Sequence, residues 1–294
     1  MTELRRIRGF TLVEMIVVIV ITGIIGGIVA VFLRAPVQSY VDSARRAEMT
    51  DIADTALRRI SRDLHLALPN SVRITGTCSG ATTCFIEFIP TTGGGRYRDA
   101  KSSLGAGNPL EFTFADTSFD VLGTIPPGLV GGDQIVVYNL GIGGADAYEG
   151  NTGKTHVRRA ISGAPVGNVI SITSVNPLPF DSCVYDDSGF VAGGCRFQVV
   201  QTPVTYAYDP VAGTLTRWQG YAIQYPQPTS LPATGTPSSA LLANKVTNCI
   251  FTYIPGVSQR SGLVTMYLTI SDQAAGENAE NVNLFAATHV NNVP

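Results

Sequence analysis

Apolar residues are distributed in three ways along this chain, and each distribution predicts a different kind of element. From Phe10 to Leu33 they form a run of 24 residues in which Glu14 is the one charge. As a helix this run would span about 36 Å, enough to cross a bilayer with some tilt. A secretory signal fits less well. Its apolar core would be about 7–15 residues long and would lead to a small-x-small cleavage site, whereas this run ends Val31-Phe32-Leu33-Arg34. The second pattern follows at once. Val41, Ala44, Met49, Ile52, Ala53, Ala56, Leu57, Ile60, Leu64 and Leu68 recur at three- and four-residue steps, with Asp42, Arg45, Arg46, Arg58, Arg59, Arg62 and Asp63 between them. That is an amphipathic helix that must lie on something apolar. It holds too many alanines and too few sustained Leu or Ile seams for a coiled coil. Pro69 stops it, and Pro36 predicts a kink or short break between the two helical patterns. Together they would make a helix of about 59 residues, or about 90 Å if continuous.

From Val72 onward the pattern changes to short apolar stretches between Gly, Pro, Asn and Asp clusters, the signature of strands and turns. Strands are expected near Phe85–Ile89, Leu110–Phe114, Gln134–Asn139, Val169–Val175, Arg196–Gln201, Val204–Tyr208, Thr214–Trp218, Val246–Tyr253, Leu263–Ile270 and Asn281–Val290. The clearest hairpin joins Val204–Tyr208 to Thr214–Trp218 through Asp209-Pro210-Val211-Ala212-Gly213, where Pro presets the turn and Gly allows positive φ. Val264, Met266, Leu268 and Ile270 alternate with polar or exposed neighbours, as in a half-buried antiparallel strand. The clusters Gly93-Gly94-Gly95, Gly105-Ala106-Gly107 and Gly141-Ile142-Gly143-Gly144 lack the Gly-Lys-Ser/Thr ending of a phosphate loop and read as plain loops. So does the proline-rich stretch Pro226 to Pro237, as a mobile one. The expected class is α+β: a long N-terminal helix packed on a large antiparallel domain, with two sheets expected from ten strands.

Charge and cysteines refine this picture. Residues 1–69 carry nine Arg against seven Asp/Glu, and the remainder carries eleven Lys/Arg against fifteen, for a net charge of −2. No basic footprint for nucleic acid exists. The 225 residues after position 69 are enough for one sizeable core. Cys78 and Cys84 flank a short loop, as do Cys183 and Cys195, so in an oxidising compartment these are the economical disulfides, with Cys249 buried and free. Zinc fits poorly, because there is no CxxC pair and His65, His156 and His289 are far apart. His156, among Lys154, Thr155, Arg158 and Arg159, reads as a surface histidine. His65 reads as lying at a solvent edge of the helix, and His289 as the end of the last strand. Asp181, Asp186 and Asp187 cluster by the Cys183–Cys195 loop. Calcium is conceivable there, but the spacing is not that of an EF-hand, and solvated loop charges are the preferred reading. No nucleophile–base pair emerges, so the chain is not expected to be an enzyme and needs no cofactor.

Glu14 is the residue that calls for an explanation. A lone acid in a membrane-length segment costs roughly 2.5–3.5 kcal/mol at mid-bilayer, and less near the end of a span. A chain that keeps it needs a partner, and a cut between Gly9 and Phe10 would create one, a new α-amino group. Gly9-Phe10-Thr11-Leu12-Val13-Glu14, behind a basic leader and ahead of the apolar run, resembles the N-terminal signature of type IV pilins and type II secretion pseudopilins. The resemblance implies prepilin peptidase cleavage after Gly9, N-methylation of Phe10, and pairing of Glu14 with a neighbouring subunit's N-terminus to set the assembly register. It implies a pilin-like fold with a cleaved leader (1–9), a membrane or filament-core helix (10–33), an amphipathic helix on the globular domain (34–69) and a β-rich external domain (70–294). Its partners would be the peptidase, other minor and major pilins, an inner-membrane assembly platform and inner-membrane lipid.

Arg5, Arg6 and Arg8 before the span are matched in number by Arg34, Arg45 and Arg46 after it. The large C-terminal portion nevertheless favours a cytoplasmic N-terminus and a periplasmic domain, because long domains translocate largely regardless of charge. Further resemblance lies in Asp54 to Asn70, in Tyr206 to Trp218 (Tyr-x-Tyr-Asp-Pro-x-x-Gly-x-Leu-x-Arg-Trp), around Cys249 and in His289 to Pro294. These look like the larger minor pilins, most nearly the O-type biogenesis pilins of mannose-sensitive haemagglutinin (MSHA) pili. The J-type pseudopilins of type II secretion share the architecture. The expectation is a minor pilin that initiates or caps a pilus, with a pseudopilin and a tip adhesin as the alternatives.

Overall fold

A computed structural model describes residues 9–78, 82–149, 156–173, 176–189, 191–256, 261–272 and 279–294. The expected leader up to Arg8, Ser79–Ala81 of the first cysteine loop, Lys154 and Thr155 lie outside the described residues. The regular elements are α1 (Leu12–Leu64), β1 (Arg73–Gly76), β2 (Cys84–Phe88), β3 (Thr91–Tyr97), β4 (Ser118–Leu122), β5 (Gln134–Val136), β6 (Arg158–Ala160), β7 (Val169–Ser171), β8 (Val184–Tyr185), β9 (Val191–Gly193), β10 (Arg196–Val200), β11 (Val204–Asp209), β12 (Thr214–Tyr221), β13 (Gly235–Ala243), β14 (Val246–Ile254), β15 (Gly262–Asp272) and β16 (Glu280–Val290). By internal contacts the chain divides into two compact units, Met1–Met49 and Thr50–Pro294.

In the first unit α1 runs through Pro36 without the expected break. Proline forfeits one helical hydrogen bond there, and the turns on either side hold the helix. Every large apolar side chain from Phe10 to Leu33 is exposed, from 47% at Val29 to 81% at Phe10. An 18-residue window of this helix reaches a mean hydropathy of 3.0, long and apolar enough to cross a membrane. Val41 of the amphipathic stripe is also exposed.

In the second unit the stripe is buried: Ala53, Ala56, Leu57, Ile60 and Leu64 are 0–5% exposed. Asp63 fixes this part of the helix to the sheet. Its Oδ2 accepts from the Tyr206 hydroxyl and from Arg217 Nε, each at 2.8 Å. Thr288 on β16 donates to Ser61 at 2.8 Å. The helix ends at Leu64, five residues before the proline expected to stop it. The next residues are taken up by the chain after β2: Leu68 donates to Ile89 O and Thr91 donates to Leu66 O, both at 2.7 Å.

The strands form four antiparallel sheets among the described residues, not two. Their orders are β1-β2-β11-β12-β13, β6-β5-β10-β3-β4-β7, β14-β15-β16 and β8-β9. Two sheets do not suffice because the last three strands form a meander that pairs with itself, while the Cys183–Cys195 loop folds into its own small ribbon. Strands β2 and β11 are buried along their shared length, as central strands covered on both faces must be. In β15, Val264, Met266, Leu268 and Ile270 are 0–1% exposed, which is the alternation read from the sequence. The predicted hairpin forms with Asp209 opposite Thr214; Asp209 Oδ1 accepts from Val211 and Ala212 N–H groups, and Gly213 has φ +61°.

Three expectations fail locally. Gly93-Gly94-Gly95 lies inside β3 rather than in a loop. A Cβ at Gly95 would stand 2.8 Å from the Phe197 ring, and one at Gly94 would stand 2.9 Å from Phe197 O, so glycine is what lets β10 approach. Leu110–Phe114 is not a strand, because Asp116 curls the segment by accepting from the N–H groups of Glu111, Thr117 and Ser118. The end of the Pro226–Pro237 loop belongs to β13, an edge strand, where a proline is tolerated.

Candidate functional site

The residues that begin α1 form a small polar cluster ahead of an apolar rod. Thr11 is the N-cap: its Oγ1 accepts from Glu14 N–H at 3.2 Å, and Glu14 Oε2 accepts from Thr11 N–H at 3.4 Å. This is a capping box, which satisfies two of the N–H groups that the first helical turn leaves without partners. Its signal in the sequence is Thr11-x-x-Glu14 before an apolar run. Glu14 is therefore held within the first turn, four residues from Phe10. Gly9 and Phe10 precede the helix and are exposed. A carboxylate in this turn also faces the positive end of the helix dipole. Gly23, Gly26 and Gly27 have nothing within 4 Å of a built Cβ, so the helix surface is open there. Thr22 turns its hydroxyl back to Val18 O, which leaves the outward surface of that turn apolar.

The segments that carried the wider resemblance meet in the second unit. Asp63, Tyr206 and Arg217 form the clamp described above, and Arg59 Nε lies 3.3 Å from Asp63 Oδ1. Burial, then Asp63, pushes the Tyr206 hydroxyl well above its ordinary range, so it stays a donor. Asn292 near the C-terminus is fully buried and donates to Tyr253 Oη at 2.8 Å. Asn70 Nδ2 donates to Asn292 O at 3.2 Å and to Asn139 O at 2.9 Å. These motifs are structural: they join the helix end, the hairpin and the chain terminus.

Cys78 is bonded to Cys84 and Cys183 to Cys195, while Cys249 is buried and free. Burial pushes the Cys249 thiol up, away from thiolate chemistry. Asp186 and Asp187 are exposed. Asp181 accepts from Tyr185 Oη at 3.0 Å, and Asp186 caps its own turn through Ser188 N–H at 2.9 Å. Among the described residues no three His, Cys, Asp or Glu side chains converge as metal ligands would. His65 and His289 are exposed. His156 is a correction: it is 7% exposed, not a surface residue. The chain turns inward there because Arg159 buries its guanidinium against backbone carbonyls, including His156 O at 2.6 Å.

Residues 4–30 match the family described as the prokaryotic N-terminal methylation motif. The chain has a type IV pilin-like N-terminus. The match covers the residues from 4 up to the Gly9–Phe10 junction, Glu14 and most of the exposed apolar run. No curated protein and no solved structure matches the chain. The motif together with the apolar helix points to membrane anchoring and to processing by a prepilin peptidase.

Proposed function

We propose that this chain is a minor pilin that takes part in initiating or capping assembly of a type IV pilus of the MSHA type. The observation that carries the reading is a methylation motif leading directly into a helical run whose large apolar side chains, up to Leu33, are all uncovered in the single chain. The precursor sits in the inner membrane with its N-terminus cytoplasmic and its β domain periplasmic. Cleavage between Gly9 and Phe10, followed by methylation of Phe10, yields a chain of 285 residues once the nine-residue leader is gone. The apolar helix then leaves lipid for the packed helices of a filament. Lipid is as apolar as the helix surface, so close packing and polar pairs supply the drive. Gly23, Gly26 and Gly27 admit a neighbouring backbone, and Glu14, held by Thr11, meets the neighbour's N-terminal amine and sets the axial register. Bulky domains repeat poorly along a filament, which favours a place at the tip. The role is non-catalytic.

The test is a strain lacking this protein, in which surface pili are counted and secreted proteins are assayed side by side. Lost pili with normal secretion support the proposal. Intact pili with failed export would instead make the chain a J-type-like pseudopilin of type II secretion. Separately, Gly9→Val should leave the precursor uncut, read as a mass difference of the leader.

A further inference from the structure

Beside β6, at the edge of the six-stranded sheet, lies a cavity of about 200 Å³. Its polar wall includes Gln134, Glu149, His156, Arg158, Arg159 and Asn176. Arg159 builds the wall: it donates to the carbonyls of His156, Arg158, Asn176 and Pro177 at 2.6–2.9 Å. That ties the strand to the chain after β7. Arg158 reaches Gln134 Oε1 with one terminal nitrogen, while its buried Nε has no hydrogen-bond partner among the described residues. Both ring nitrogens of His156 are buried and also lack one. One oxygen of each nearby carboxylate is engaged elsewhere. Glu149 Oε2 accepts from Gly144 N–H at 2.8 Å, and Asp146 Oδ1 accepts from Tyr148 N–H at 2.9 Å. Among the described residues Arg158 Nε and the two His156 ring nitrogens therefore border the void without a hydrogen-bond partner, and buried polar groups are costly to leave unmet.

We propose that this cavity binds a small oxyanion, the headgroup of a carboxylate, sulfate or phosphate. The free edge of the Arg158 guanidinium suits the paired oxygens of such a group, and His156 supplies a third donor. The volume equals that of about six waters, so water is the competing occupant. The charged groups facing His156 are Arg158, Arg159 and Glu149. Burial first, and then the two guanidiniums, hold its imidazole below the ordinary histidine range. A bound anion offsets the guanidiniums and favours the imidazolium, so affinity rises as pH falls.

The chain has three histidines, and His65 and His289 are exposed, so they serve as internal controls. The experiment uses the detergent-solubilised full chain with ¹³C-labelled histidine. It is titrated with sodium sulfate, and in a second series with sodium acetate, at constant ionic strength set by sodium chloride, at pH 6 and pH 8. The expected result is a saturable shift of the His156 resonance alone in at least one series, about fivefold tighter at pH 6. Arg158→Gln should weaken it tenfold or more with the His65 and His289 signals in place. If that variant does not fold, His156→Gln read by the thermal shift with the same anion takes its role, and it should lose most of that shift. A stronger response to sulfate marks a tetrahedral dianion and a stronger response to acetate marks a carboxylate; either supports the site. No saturable shift in either series, equal movement of all three histidines, or unchanged affinity in the variants would overturn it.

Discussion

The two stretches of α1 have the same backbone and opposite surroundings. From Phe10 to Leu33 the large apolar side chains are uncovered, whereas from Ala53 to Leu64 the apolar positions of the stripe are buried. The charges differ in the same way. Asp63 is satisfied inside the chain by Tyr206, Arg217 and Arg59. Among the described residues Glu14 has only its own helix cap. The second stretch is thus complete within one chain. The first has an apolar surface and an acid that the chain itself does not cover; on the proposed function, lipid and then neighbouring subunits cover the surface, and a neighbour's amine meets the acid.

Ile60→Ala against Ile28→Ala would sharpen this contrast most. Emptying the buried Ile60 site should cost about 4 kcal/mol of unfolding free energy, measured by denaturant titration in detergent. Ile28→Ala should leave that free energy within about 0.5 kcal/mol and instead reduce incorporation into filaments. Equal losses in both would break the distinction. Next, Asp63→Ala should cost about 3 kcal/mol, because the half-buried Arg217 and the buried Tyr206 hydroxyl are left without their carboxylate. A loss below about 1 kcal/mol would show that the clamp is dispensable.

Glu87 gives a pH-dependent counterpart to Glu14. It is fully buried in β2, with Arg73 Nη2 at 3.1 Å from Oε1. Burial pushes its carboxyl from the ordinary 4.5 up to about 7, against the opposing pull of Arg73. The folded state therefore holds this proton where the unfolded chain has released it. Stability should fall as pH rises from about 4.5 to about 7, by a total on the order of 3 kcal/mol. Unfolding curves across that window should show the slope in the native chain and lose it in Glu87→Gln; an unchanged slope in the variant would assign it elsewhere. The smallest effect is expected from Thr11→Ala, which removes the cap and should cost about 1 kcal/mol, confined to the first turn of the helix and visible as faster amide exchange there.

Legibility in the sequence followed the range of the interactions. The apolar run, the stripe, the 204–218 hairpin and β15 were readable because local periodicity and turn chemistry determine them. The strand nature of Thr91–Tyr97 was not, since its glycines are explained only by residues distant in sequence, Pro126 for Gly93 and Phe197 for Gly94 and Gly95. The helix end at Leu64 depends on pairing with Ile89 and Thr91. His156 looked like solvent-facing sequence because its neighbours are polar, and only the fold turns Arg159 inward. At the N-terminus both the charge of Glu14 and its second job, capping through Thr11, are carried by the local spacing Thr11-x-x-Glu14.

That second job bears on the central claim, because Glu14 could be kept for its cap alone. Glutamine also serves in a capping box, so Glu14→Gln retains the cap and removes the charge. The decisive measurement is the ratio of this subunit in sheared pili to that in the membrane for native chain, Glu14→Gln and Glu14→Ala. The account predicts that both variants fall at least tenfold. Native incorporation of Glu14→Gln would contradict it, and would make Glu14 a helix cap rather than the residue that sets the register.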